Sequence, residues 1–330
     1  MILKEDTSII TWGDFLDVYH KIRQKGMRYL LAKMQLSHSS RVSSKWDLHT
    51  TSSDFWEIPE IVKDWNKTIS GDENKLYEDY VAQKYFSGKS GIKILSIGCG
   101  DGKHERKFAV YPEVEKAVGV DIAEARVARA RESAQKLNLP IEYIAGDFFK
   151  LDFEKESFDM VLFSSSLHHF YDIDNFLKNH IKPLLKNNGL LVVYEYCGPN
   201  RLQWRRTQLN EANRILQTIP KKYRTLYDGK SSKKKVYRPG LIRMHIVDPS
   251  EAPDSENLIN GIHNNFTVLE EARLGWNILH SLLKGIAHNF VSDDPEVKKL
   301  IASLIQEEKK FMQVSGENDA VFGVYKKELY

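Results

Sequence analysis

The segment Gly98-Cys99-Gly100-Asp101-Gly102 directly follows the apolar run Ile94-Leu95-Ser96-Ile97. A glycine-rich turn leaving a strand lets a ligand come close to the backbone, and the helix after it aims its first amides at that place. The spacing is G-x-G-x-G. The dinucleotide pattern G-x-G-x-x-G needs a glycine where Lys103 stands. Two acids occupy comparable positions further on. Asp121 closes the run Val118-Gly119-Val120, 23 residues after Gly98, and a carboxylate there can accept both hydroxyl protons of a ribose. Asp147, in Gly146-Asp147-Phe148, follows the run Ile141–Ala145. It can accept from an adenine amino group while Phe148 packs on the ring. Ser96, Cys99, Ile122 and Ser164 complete the expected lining. Three nucleoside-reading elements at three successive strand ends are more than a set of turns requires.

A second group could do proton chemistry. The fourth apolar run is followed by Ser164-Ser165-Ser166-Leu167-His168-His169-Phe170. Histidine titrates near neutrality, so His169 or His168 could take a proton from an acceptor; the same residues also read as an ordinary helix start. Glu195 closes the fifth run. It orients or deprotonates an acceptor, or it pairs with Arg201; both readings stand. Arg201, Gln203, Trp204 and Arg243 are candidates to line an acceptor pocket. Asp248 and Glu251 read as caps of a helix starting near Ser250, and His280 and His288 as core or lid residues. No His, Cys, Asp or Glu group has metal-ligand spacing, so no metal is expected. The two cysteines, Cys99 and Cys197, give no disulfide framework.

These residues need a scaffold that brings several strand ends to one edge. Apolar runs at 93–97, 117–120, 141–145, 158–163 and 190–194 alternate with helical stretches at 103–110, 123–137 and 174–185, the signature of βαβ units. Beyond Cys197 the alternation stops. A helix over 202–216 and a basic, strand-poor stretch over 221–243 come next. They are followed by a sixth strand at 266–273, helices at 276–290 and 295–311, and a last strand at 320–325. The expectation is an α/β fold: a doubly wound, mostly parallel, seven-stranded Rossmann-like sheet, with an N-terminal helical cap and a lid insertion after the fifth strand. Its parts are residues 1–90 (cap), 91–197 (nucleoside-binding core), 198–262 (helical and basic lid) and 263–330 (completion of the sheet with two helices). Phe15, Val18, Tyr19 and Ile22 share one helical face in the first part, which suits a cap helix or a membrane-surface contact.

Residues 93–195 resemble the core of a class I S-adenosylmethionine-dependent methyltransferase. The pieces that carry the likeness are Ile94–Gly102, Val118–Asp121, Ala145–Phe148, Phe158–Phe170 and Leu184–Glu195. The resemblance implies S-adenosylmethionine as cofactor, with Gly98, Gly100 and Gly102 around its methionine part, Asp121 on the ribose and Asp147 on the adenine. It also implies an acid two residues before the first glycine. This chain has Ser96 there, so the donor's amino group would be held less strongly or through water. Trp56-Glu57-Ile58-Pro59-Glu60, Asp248-Pro249-Ser250-Glu251-Ala252 and Gly285-Ile286-Ala287-His288-Asn289-Phe290 resemble a bacterial subgroup associated with polysaccharide and secondary-metabolite pathways.

Composition narrows the partners. Formal net charge is +3, yet residues 201–243 hold thirteen Lys/Arg against two acids. Such a segment suits an anionic acceptor or a solvated loop. No apolar run reaches the ~18 residues that span a bilayer, and the first residues lack a secretory pattern, so a reducing cytoplasm is expected. The expected acceptor is a small molecule, a sugar or a lipid-linked compound, methylated at oxygen. Nucleic acid is the rival acceptor. It is disfavoured because Ser164-Ser165-Ser166-Leu167 stands where base-methylating enzymes carry an Asn/Asp-Pro-Pro-aromatic motif. An NAD-linked oxidoreductase and a non-catalytic nucleotide-binding protein are the alternatives of other classes.

Overall fold

The computed structural model describes residues 7–16, 19 and 54–328. Helix α1 (Pro59–Ser70) and helix α2 (Tyr77–Val81, continued by the π-helical turn Ala82–Phe86) lead into strand β1 (Ile92–Ile97). Then follow α3 (Lys103–Phe108), β2 (Val114–Asp121), α4 (Glu124–Lys136), β3 (Ile141–Ala145), β4 (Phe158–Ser164), α5 (Ile173–Phe176) and β5 (Leu185–Tyr196). The rest comprises α6 (Arg206–Thr218), α7 (Leu241–Val247), α8 (Leu258–Asn265), β6 (Thr267–Gly275), α9 (Leu279–Leu283), α10 (Pro295–Ser315) and β7 (Ala320–Lys326).

The seven strands form one sheet in the order β3-β2-β1-β4-β5-β7-β6. Strands β1 to β5 are parallel, and β7 runs antiparallel between β5 and β6. The central strands are apolar on both faces because both faces are covered. One face packs Ile94, Met160, Leu162, Val192 and Phe322 with Trp65 of α1, Val81 of α2, Phe108 of α3 and Ile301 of α10. The other packs Leu95, Val161, Phe163, Leu191 and Val193 with Phe176 of α5 and Leu258 and Ile262 of α8. The strand order reverses between β1 and β4. At such a switch point the loops leaving the two carboxyl ends diverge, and an open α/β sheet has its ligand crevice there.

Several boundaries differ from the sequence expectation. β5 extends back through Asn187-Asn188-Gly189, with Asn188 at φ 61°. The apolar stretch 276–290 is two pieces, α9 and a 3₁₀ turn Ala287–Phe290, because Gly285 at φ +82° ends the first. The helix expected from 202 starts at Arg206, since Arg201 and Leu202 are both left-handed, at φ 58° and 53°. No helix starts at Ser250. Asp248 instead closes a turn, accepting from the Ser250 amide at 3.1 Å and hydroxyl at 2.7 Å. Of the N-terminal face, Val18 and Ile22 lie outside the described residues, while Phe15 and Tyr19 are exposed. The segment around them docks on α7 through Ser8, whose carbonyl accepts from the Leu241 amide at 2.9 Å, and Asp14, whose carboxylate accepts from the Gly240 amide at 2.9 Å. Among the described residues no helix is long and apolar enough to cross a membrane.

One buried acid ties α10 to the start of α9. Glu308 accepts from the amides of Ile278 at 3.0 Å and Leu279 at 2.9 Å. Burial lifts its carboxyl from 4.5 to about 7 against the pull of those amides. A folded-state pKa above the unfolded one gives stability that is present at low pH and lost as pH rises from 4.5 through about 7. Denaturant titration of the wild type should therefore show a fall of roughly 3 kcal/mol from this group across that range. The Glu308→Gln variant should show a visibly flatter profile.

Candidate functional site

The turn after β1 is held by backbone and carboxylate together. The Gly98 and Cys99 amides donate to the Val120 carbonyl at 2.8 and 3.0 Å. The Gly100 amide donates to Asp121 Oδ2 at 2.8 Å, and the Ala123 amide to Oδ1 at 2.8 Å. Gly98 and Gly102 are required twice over. Both have positive φ, and a Cβ would lie 2.4 Å from Ser166 Cβ at the first and 2.2 Å from the Tyr143 hydroxyl at the second. Asp121 uses one lone pair of each oxygen on the turn and keeps the others for a ligand. Burial pushes its carboxyl up, offset in part by the two amides and Arg126. Ile122 is exposed beside it. Cys99 is buried, and burial pushes its thiol well above the usual range, so it is an inert side chain.

Asp147 stands at the next strand end, accepting from the Phe149 amide at 3.1 Å and otherwise partly open. Phe148 turns its ring into the second core, against Phe153 and Phe176, while Phe149 is exposed at the same edge. On the other side of the turn lies a buried polar group. The Ser96 hydroxyl donates to Glu105, on the first turn of α3, and both are buried. Tyr77 of α2 donates to Ser164 Oγ at 3.2 Å and lies 2.9 Å from His104 Nδ1, which is 2.7 Å from Glu78. Sequence reasoning missed Tyr77, Glu78, His104 and Glu105. The first two lie in a region read only as a cap. Glu105 sits three residues beyond the last glycine of the turn, where a helix start makes an acid look like a dipole partner.

At the end of β4 the chain turns under Gly98, and Ser166 Oγ donates to the Ile97 carbonyl at 2.6 Å. Glu195, fully buried at the end of β5, organises this turn. It accepts from the amides of Ser166 at 2.6 Å and Leu167 at 2.7 Å and from His168 Nδ1 at 2.7 Å. Of the two readings of Glu195, the pairing with Arg201 is not what the structure has. Arg201 instead donates to the carbonyls of Pro249 and Glu251 and to the Tyr171 hydroxyl. His168 Nε2 points the opposite way from Glu195 and is 3.8 Å from Glu251. His169 lies beside it with its ring tilted, centroids 4.4 Å apart, and with Nδ1 on the Ser250 carbonyl at 3.0 Å.

The remaining candidates serve this wall. Gln203 binds the Pro239 carbonyl and the Ser8 amide, Arg243 lies 3.8 Å from Asp14, and Trp204 is buried edge-on to His280 at 5.4 Å. Burial lowers His280 to about 3, so it is neutral, stacked on Phe55 at 5.3 Å. His169, Asp248 and Glu251 each bring a ligand atom within 4.8 Å of the others, a grouping able to hold a cation. No local spacing announces it, because His169 is about eighty residues away from the two acids.

An adenosyl ligand fits these groups. A glycine turn with no room for side chains lies beside a carboxylate with free lone pairs, and a second acid stands one strand along. The comparisons agree. The model of a family described as a methyltransferase domain matches residues 88–241. Sterol 24-C-methyltransferase of Candida albicans is 31% identical over 122 residues, 36% of this chain and 32% of that one. A ubiquinone biosynthesis O-methyltransferase of Rhodopseudomonas palustris is 34% identical over 110 residues, 33% of this chain and 42% of the relative. The chain thus spans about a third of the length of the sterol enzyme it matches. Geranyl diphosphate C-methyltransferase of Streptomyces coelicolor shares the fold, at a TM-score of 0.51 and 12% identity, over 89% of this chain and 99% of that one. Residues 88–241 thus match a methyltransferase domain, and the fold and the relatives support a class I S-adenosylmethionine-dependent methyltransferase.

Replacing Asp121 by alanine should weaken binding of S-adenosylhomocysteine on the order of 10- to 100-fold, the value of charge-assisted hydrogen bonds, with the fold retained. Calorimetry with circular dichroism as control measures both. Undiminished affinity would remove Asp121 from the site.

Proposed function

We propose that the chain transfers a methyl group from S-adenosylmethionine to a hydroxyl oxygen of a small acceptor that has an apolar body. The observation that carries this reading is the His168–Glu195 pair beside the switch point. Bound S-adenosylmethionine supplies a methyl group already activated on a sulfonium. Gly98, Gly100 and Gly102 would hold its methionyl part, Asp121 the ribose and Asp147 the adenine. What remains for the chain is to place the acceptor in line and to take one proton.

Donating Nδ1–H to Glu195 fixes the His168 tautomer and makes Nε2, on the Glu251 side, the basic nitrogen that would take the acceptor's proton. As the oxygen attacks, its proton passes to Nε2, and the imidazolium is flanked by Glu195 and Glu251. Trp204 and Tyr196, both buried, pack with His280 as an aromatic group beside His168. An apolar body is supported by the relative named a sterol 24-C-methyltransferase, and oxygen as the methylated atom by the relative named a ubiquinone biosynthesis O-methyltransferase.

The basic stretch does not favour nucleic acid. Lys233 caps the carbonyls of Ser281, Leu282 and Lys284, Arg214 bridges Glu211 and Glu307, and Arg238 binds the Trp204 carbonyl. Much of that charge is internal stitching. Two free cysteines suit a reducing cytoplasm. A second reading, cation-assisted deprotonation, rests on His169, Asp248 and Glu251.

Release of S-adenosylhomocysteine, assayed against pools of hydroxylated acceptors, tests the main reading. His168→Ala should lower turnover ~10²–10⁴-fold while donor affinity stays within twofold of the wild type. His169→Ala should have the smaller effect. Unchanged turnover in His168→Ala would remove the base. Under the histidine-base reading EDTA leaves turnover unaltered; loss with EDTA and recovery with Mg²⁺ would select the cation instead.

A further inference from the structure

Glu105 is 1% exposed, on the first turn of α3, behind the glycine turn. One carboxylate oxygen accepts from the Ser96 hydroxyl, and Oε2 is buried with no hydrogen-bond partner. Among the described residues no lysine, arginine or histidine forms an ion pair with it. A buried carboxyl left half satisfied is costly, and a fold tolerates it where a ligand completes it. Around it lie Cys99 in the turn, Tyr143 of β3 and Tyr77 of α2, while His104 and Arg106 on its own helix act on it only through space, with no ion pair. Burial pushes the carboxyl up, as expected of an acid that waits for its counter-charge.

S-adenosylmethionine carries two positive centres. The sulfonium must face the acceptor at the open edge near His168. The ammonium is at the other end of the methionyl chain and, with that chain held by the glycine turn, would come toward Ser96 and Glu105, which are buried beside the turn. We propose that Glu105, through the Ser96 hydroxyl, is the anionic partner of the donor's ammonium group, so that α3 supplies a charge that β1 lacks. The claim rests on the donor-site reading above. Glu105 is a positioning residue: it sets where the methionyl chain lies and so where the methyl points.

Two probes separate this role from a structural one. S-adenosylhomocysteine has the ammonium, and 5′-methylthioadenosine has the same adenosyl thioether without it. In calorimetric titrations Glu105→Gln should weaken S-adenosylhomocysteine on the order of 10- to 100-fold and leave 5′-methylthioadenosine within twofold. Ser96→Asp in the Glu105→Gln background puts a carboxylate at the same spot and should restore most of the loss. Ser96→Ala alone, which keeps Glu105 and cuts the link, should also weaken S-adenosylhomocysteine selectively, and it serves if Glu105→Gln does not fold. Equal weakening of both probes, or of neither, overturns the assignment. Failure of the wild type to bind 5′-methylthioadenosine at all would instead overturn the donor site, and this claim with it.

Discussion

The hydrogen bond from the Gly100 amide to Asp121 is the constraint on which the site depends. It joins the turn after β1 to the end of β2, so the glycine backbone and the Asp121 carboxylate cannot move independently. Gly98 and Gly102 make the joint tight, since Ser166 and Tyr143 occupy the space a side chain would need. Four strands thus contribute to one small turn: β1 leads into it, β2 supplies Asp121, β3 supplies Tyr143, and Ser166 follows β4. A preorganised pocket of this kind binds without first having to order its loops.

The turn after β4 is built differently. A single buried carboxylate, Glu195, gathers two amides and one imidazole. It converts the flexible Ser-Leu-His run into a fixed arm and sets one histidine apart from its neighbour. His169 faces Ser250, while His168 has a carboxylate behind it and another in front. The two adjacent residues therefore have different surroundings, which residue type alone does not disclose.

Much of the fold was legible. The parallel strands up to Cys197 and the positions of Gly98, Asp121 and Asp147 follow from apolar runs and turn chemistry, which are local signals. What escaped was non-local. Arg201 looked like a partner for Glu195 because both sit near one strand end, yet two consecutive left-handed residues send its guanidinium to the 249–251 carbonyls. Glu105 and Tyr77 join the site only through tertiary packing of α2 and α3. The His169–Asp248–Glu251 grouping spans most of the insertion, so no spacing rule could reveal it.

The antiparallel β7 sits between β5 and β6, so β6 touches no other strand of the sheet. During synthesis on the ribosome the first five strands can associate as they emerge. β6 must wait for some fifty later residues before it gains a ladder partner. Until then its backbone edge is open, and the charged residues along it, Glu270, Glu271 and Arg273, act as a guard against wrong pairing in the interval.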